Sequence, residues 1–577
     1  MDFSDYFLKE LKALRETGKA FALEHPRLAA FLSEEGQDPD VERILESVAF
    51  LTARLQQRLD GVFADVTHEL LRLAWPGQLQ VTPSMTMVAF EAGDAVGESR
   101  VIARGAALTS IPVDGHPCRF RTCREVALHP WRLAGCRHMR TETADELVLD
   151  LHVLNPAFLL SGGPDALSLY LHGDARQTGY WLQHLERDVL SLGVSLNDGA
   201  PEWGAVTVEP EGFDEGFQLL PDEASVASGL RLASEYFLYP EKFSFVALKG
   251  LRAFWSRWPA EALECAERIR LTLRFSKRTR QAFQDVSQLV QLHVSPAINL
   301  FECDARPLDI EHLESRYLLQ PDTVVPGVQA HSVVHLEGWN RDTRRYRSYA
   351  PLSQALESCH FQEQGTYYWE KCLPSQVSHY QWLLWTGFYG EGRQALMPQR
   401  EVIHARLRCT DGMRARKLGV GDVCYPAEAL TALVSARNIT PVTPPLFPYL
   451  HGHRIYELLG LLRSSVSRYS SREALIETLK VLDRRSHYDR AHSEAIHKKI
   501  QGVLSLRCRE ALALRRGIPV MGREIVLEVD ESRFLGDGDI HLFGAVLYAL
   551  MAGGRRINEH LSLRLVGHKH QGIWEWG

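Results

Sequence analysis

Apolar side chains recur every three or four residues at Phe3, Phe7, Leu11, Leu14 and Phe21, the spacing of one helix face, until Pro26 stops the pattern. A second helix is predicted to start at Asp38-Pro39, where the carboxylate can cap free backbone N–H groups and proline fits the first helical position. Its apolar stripe runs through Val41, Ile44, Leu45, Val48, Leu55, Leu59 and Val62. A third helix is expected from Asp65 to Trp75. Pro76-Gly77 closes it, so the helical N-terminal region spans residues 1–80.

Beyond Met85 the period shortens. Met85–Phe90, Leu147–Val153 and Leu167–Leu171 read as strands broken by Gly, Pro, Asn and Asp, and in Arg270–Phe275 the alternation puts Leu271, Leu273 and Phe275 on one face. This defines a β-rich domain at 81–300. Turns at Gly338, Gly387 and Gly390 and the proline cluster Pro441–Pro448 predict a second mostly β region, 301–448, closed by a linker. Helices return at Ile455–Arg463, Ser471–Leu482 with Ser471 as cap, and Glu494–Leu506. Ile525, Leu527 and Val529 then alternate as a strand, His541–Met551 forms a helix, and Leu561, Leu563 and Leu565 alternate again. The expected class is α+β multidomain: an N-terminal helical region, β-rich central domains and a C-terminal α/β domain at 449–577.

Composition narrows the function. With 577 residues, 45% of them hydrophobic and 24% charged, the chain has the make-up of an ordinary folded soluble protein. A net charge of -7, with only short basic runs at Arg341–Arg347 and Arg414–Lys417, offers no broad cationic face, and nucleic acid is not an expected partner. Ten scattered cysteines fit reduced thiols in the cytoplasm. The opening Met1-Asp2-Phe3-Ser4-Asp5 is acidic where a signal peptide needs positive charge. The apolar run Leu542–Met551 is far short of the roughly 20 residues of a membrane span, so no membrane insertion is expected and the run reads as a buried helix.

Catalytic and ligand-binding templates are not matched. His68-Glu69 opens a zinc-protease pattern, but Arg72 stands one turn on, leaving a helix-surface histidine. No Cys-x-x-Cys pair exists, and Cys118 and Cys123 read as isolated thiols. The pairs His451/His453 and His568/His570 and the series His487, His492 and His497 lack further ligands. Gly536-Asp537-Gly538-Asp539 and Gly553-Gly554 match no phosphate loop and read as turns. No catalytic, metal or cofactor residue is nominated. A rival reading is a β-rich carbohydrate-active hydrolase, in which 12 Trp and 18 Tyr would flank two carboxylates, but aromatic abundance is ordinary in cores and interfaces.

Several blocks are more specific. Tyr6-Phe7-Leu8-Lys9-Glu10-Leu11, Leu14-Arg15-Glu16-Thr17-Gly18, His25-Pro26 and the run from Asp38-Pro39-Asp40-Val41-Glu42-Arg43 to Ala49-Phe50-Leu51-Thr52-Ala53-Arg54 together resemble the opening of the TssF family, also called ImpG or VasA. Pro83-Ser84-Met85, Glu235-Tyr236-Phe237 with Pro240-Glu241-Lys242-Phe243, Ser295–Glu302 with its Asn299-Leu300-Phe301, and Gly536–Phe543 with Ile557-Asn558 extend the resemblance over nearly the whole chain. His293-Val294-Ser295 departs from the Cys-Thr of the family block, and 325–440 matches weakly. The resemblance implies a non-enzymatic wedge protein of the type VI secretion system baseplate, with no cofactor. It implies a pair of TssF chains for each TssG, further contacts with TssE, the TssK adaptor and neighbouring TssF copies, and six wedges around a VgrG hub. A soluble accessory factor of the same system is a third reading. The N-terminal stripes would serve a shared helical bundle, which makes Phe3, Phe7, Leu11, Leu14, Ile44, Leu45, Val48, Leu55 and Leu59 the candidate partner interface.

Overall fold

The computed structural model describes residues 3–24, 39–94, 96–140, 145–214, 216–221, 226–278, 285–310, 316–353, 365–375, 380–389, 401–426, 434–448, 454–462, 469, 471–515, 518–553, 559–569 and 572–577. The chain forms two compact units, Met1–Ala74 with His451–Leu459, and Trp75–Leu450 with Gly460–Gly577.

The first unit is a helical hairpin. Helix α1 (Phe3–Glu24) packs on α2 (Pro39–Ala74), a single helix of 36 residues where the sequence predicts two. The predicted break between Val62 and Asp65 does not occur: no proline intervenes before Pro76, and the one interior glycine, Gly61, costs a helix only about 1 kcal/mol.

The second unit is built on sheets. A six-stranded sheet runs in the order Val423–Pro426, Ala107–Val113, His116–Thr122, Val294–Ile298, Met85–Ala92, Val434–Asn438. Strands from both sides of residue 300 thus share one sheet: Val88 pairs with Asn438 and Ser110 with Val423. A five-stranded sheet has Arg268–Phe275 at its centre, with Ile269, Leu271, Leu273 and Phe275 buried as the alternation predicts. Behind it lies a four-stranded sheet of Thr207–Pro210, Phe245–Lys249, Ala166–Leu171 and Val290–Leu292, and the two share one apolar core. Strands between Phe301 and Thr410 form an eight-stranded sheet whose ends approach through an Ala305–Pro321 bridge.

Two helices that periodicity did not announce lie among these strands. The Asp174 side chain caps α3 (Ala175–Asp188) by accepting from Gln177 N–H; α4 is Ser228–Leu238. Later come α5 (Arg454–Leu462), whose residues to Leu459 belong to the first unit, α6 (Arg472–Leu482), capped by Ser471 Oγ as expected, and α7 (Arg490–Gln501). The helix predicted over Glu494–Leu506 stops at Gln501, since the Gly502 N–H closes onto Lys498 and Lys499 and a strand starts at Val503. Four strands, Val503–Arg515, Ile518–Val529, His560–Gly567 and Ile573–Trp576, make the last sheet.

Helix α8 (Asp537–Ala552) contains the predicted buried run and packs against both α3 and α4. Gly536 and Gly538 are therefore not loop residues, as the sequence reading had them, but open this helix. The reason is close approach. A Cβ on Gly538 would stand 2.1 Å from the Gly179 backbone of α3, and one on Gly229 of α4 would stand 2.4 Å from the Ala549 carbonyl. Backbone cannot yield as a side chain can, so Gly538→Ala is expected to lower stability by about 1–3 kcal/mol or more in urea titration. Gly135→Ala, where a Cβ meets nothing within 4 Å, is the matched control and should be near neutral.

Candidate assembly surface

The hairpin assigns its faces by residue size. Ala49 and Ala53 are fully buried and Leu11 is nearly so, which places small side chains where α1 and α2 come closest. Arg15 and Glu42 form an ion pair between the helices. At 100° per residue, Ile44, Val48, Leu51 and Leu55 fall on a single stripe roughly 150° around α2 from the two alanines. Their side chains stand 62%, 40%, 64% and 64% exposed. This exposed apolar stripe on a charged helix makes α2 the candidate contact surface.

The predicted interface residues therefore divide. Ile44, Val48 and Leu55 are on the open stripe, Leu45 flanks it half-buried, and Phe7 and Leu14 are half-buried on α1. Leu11 points into the hairpin. The side chains of Phe3 and Leu59 lie outside the described residues. Leu51, whose spacing from Val48 and Leu55 fits the stripe, and Leu8 and Phe50 are also exposed yet absent from the predicted interface, and Phe21, on the predicted apolar face of α1, is exposed as well.

The polar members of the family-like blocks are internal. Glu235 and Lys242 form a fully buried ion pair, and Glu235 also accepts from Leu219 N–H. Asn299 donates to the Arg119 carbonyl and to Asp411, and its carbonyl oxygen accepts from Thr410 Oγ1 and Asp411 N–H, all at 2.7–2.8 Å. Asp539 at the start of α8 pairs with Lys499 at 2.6 Å. Two residues along the chain, His541 meets Glu186 at 2.7 Å and stacks on Trp576. These groups tie strands and helices that are distant in sequence, so the blocks mark a shared interior.

Other candidates for chemistry are likewise built into the fold. His68 is buried on α2, not on the helix surface, because it follows the inward face with Leu71 and Trp75. Burial raises the Cys118 thiol to about 11, with Asp411 adding, and the Cys123 thiol to about 12. His492 faces Asp483, His497 faces Gln501 and His568 faces Glu528, while His451, His453 and His570 lie outside the described residues. No group of three or more His, Cys, Asp or Glu arranged for a metal ion occurs among the described residues. Buried carboxylates are engaged as well: Glu146 with Arg274, Glu401 with Tyr349 and Arg347, Asp411 with Arg414. No helix among the described residues is long and apolar enough to cross a membrane.

The family model described as Type VI secretion system, TssF, matches residues 1–577. The type VI secretion system component TssF1 of Pseudomonas aeruginosa is 27% identical over 625 aligned residues, covering 99% of this chain and 97% of that protein. A chain in the cryo-electron microscopy structure of the type VI secretion system TssK-TssF-TssG baseplate subcomplex superposes with a TM-score of 0.79 at 25% identity, covering 93% of this chain and 98% of its own. A chain of the baseplate complex from the type VI secretion system shares the fold, with a TM-score of 0.61 at 24% identity and coverage of 100% and 99%.

Proposed function

The chain belongs to the TssF family of the type VI secretion system, and from that premise we propose that it is a structural subunit of the baseplate whose N-terminal hairpin docks TssG through the open stripe of α2. The observation that carries this reading is the stripe itself, four large apolar side chains turned away from the hairpin's own contact. The similarity to a chain of the TssK-TssF-TssG subcomplex supports it. In this reading two copies share one TssG, and TssK, TssE, the VgrG hub and neighbouring copies complete the wedge in the cytoplasm. The role involves no catalysis: buried carboxylates hold cations of the fold, and burial holds the Cys118 and Cys123 thiols protonated. Neither a hydrolase nor an accessory factor accounts for a family match that spans the chain.

The test is capture of co-expressed TssG by the variant Ile44→Asp/Val48→Asp/Leu55→Asp. Three carboxylates carried into an apolar contact cost several kcal/mol, so capture should fall by roughly a hundredfold or more. The same side chains are exposed in the chain alone, so its circular dichroism and melting temperature should hold. Leu190→Asp, at a position 65% exposed on the five-stranded sheet, should leave capture intact. Undiminished capture by the triple variant would overturn the proposed contact.

A further inference from the structure

A second unpartnered apolar surface lies far along the chain in the C-terminal sheet. Val503–Arg515 is an edge strand there, paired only with Ile518–Val529 among the described residues. The third strand joins at Gly522 opposite His560, so the hairpin beyond that level projects as a two-stranded ribbon. Alternation fixes its faces. Ile525, Leu527 and Val529 are fully buried at the base; two and four residues earlier on the same face come Arg523 and Met521. Met521 pairs directly with Leu512, and the two stand 58% and 70% exposed. The core face of the sheet thus runs out into solvent without a covering layer. An isolated two-stranded ribbon is marginal in water, and an unpaired edge offers its N–H and C=O groups to a further strand.

Charge selects the kind of strand. Between residues 507 and 523 the chain carries five arginines and one glutamate, against -7 for the whole protein. Arg507 and Arg509 lie exposed along the free edge strand itself. Two copies of this ribbon would repel each other, which disfavours self-pairing. We infer that the free edge of Ser505–Leu512 is a docking site for an acidic β-strand of another protein, one that alternates carboxylate and apolar residues and covers the Leu512–Met521 pair. Main-chain hydrogen bonds would supply the affinity, and the arginines its preference for carboxylates. This contact is separate from the stripe of α2.

Hydrogen–deuterium exchange on the full chain tests it, with a short peptide alternating valine and glutamate as probe and its valine–lysine counterpart as control. The segment 503–512 should exchange rapidly in the chain alone and slow by roughly tenfold with the glutamate peptide at low salt. The effect should vanish near about 0.5 M salt and be absent with the lysine peptide. Leu512→Asp should abolish the protection, and Arg507→Glu should shift the preference toward lysine; the α2 triple variant should leave it unchanged. Equal action of both peptides, action of neither, or protection in the chain alone that disappears on dilution would each overturn the inference, the last in favour of self-pairing.

Discussion

Replacing Lys242 by methionine is expected to destabilise the protein by about 3–5 kcal/mol, because it strands a carboxylate in the core. Lys242 and Glu235 are 0% and 2% exposed, and each is the other's charge partner. Burial pushes the Lys242 ammonium down, and the neighbouring Glu235 carboxylate opposes that shift. The ammonium also lies 5.3 Å from the ring centres of Phe217 and Phe243, and the buried Arg231 guanidinium adds to its depression. Methionine fills the volume but removes the Lys242 donor, leaving Glu235 the Leu219 N–H among the described residues. Adding Glu235→Gln should recover much of the loss, since the amide oxygen can still accept that bond and no charge remains buried. Urea titration of the wild type, Lys242→Met and the double variant gives the comparison. A loss below about 1 kcal/mol for Lys242→Met, or no recovery in the double variant, would refute an electrostatic origin.

The sequence made local order legible and left non-local closure hidden. The alternation of Arg270–Phe275 reads as a strand, and it falls within Arg268–Phe275, while the Ser471 hydroxyl announces its helix. Helix α3 was obscured, although Trp181, Leu182 and Leu185 carry its buried face, because it is short, polar and set between strands. The return of Val423–Pro426 to Ala107–Val113 could not be read at all, since nothing in either segment encodes a pairing some 300 residues away. The candidate surface was legible by halves. Periodicity found the apolar positions of α2, but only packing decides which face turns inward, and it chose Ala49 and Ala53, too small to stand out as core. The family-like blocks identified the chain correctly for a reason composition hides: Glu235, Lys242, Asn299 and Asp539 are its buried polar ties.

Acid should destabilise the protein steeply below about pH 6.5, through histidines buried in neutral form. Burial pushes His129 down to about 4, and His293 and His331 to about 3; the His129 ring adds to the shift of His293, and Arg408 to that of His331. The local bonding agrees. His293 Nε2 accepts from the His129 backbone N–H at 3.2 Å, an acceptor that protonation would destroy. The two rings lie 5.9 Å apart, so two imidazolium ions would repel. His129 Nδ1 is held by Ser99 Oγ at 2.6 Å with Phe158 stacked on the ring. The sign follows from linkage. Each folded-state value lies below the ordinary 6.5, so as pH falls the unfolded chain takes up protons that the native chain refuses. Stability is whole above 6.5 and declines until the folded groups titrate near 4 and 3. At pH 5 each of the three should have cost on the order of 2 kcal/mol. His138, His172 and His184, also depressed by burial, act in the same direction. Urea midpoints at pH 7.5 and 5.0 should therefore differ strongly. His293→Asn, which tolerates the positive φ of 53° at that position but does not titrate, should flatten the dependence. Midpoints that match at the two pH values would show that these rings are protonated without penalty in the folded chain.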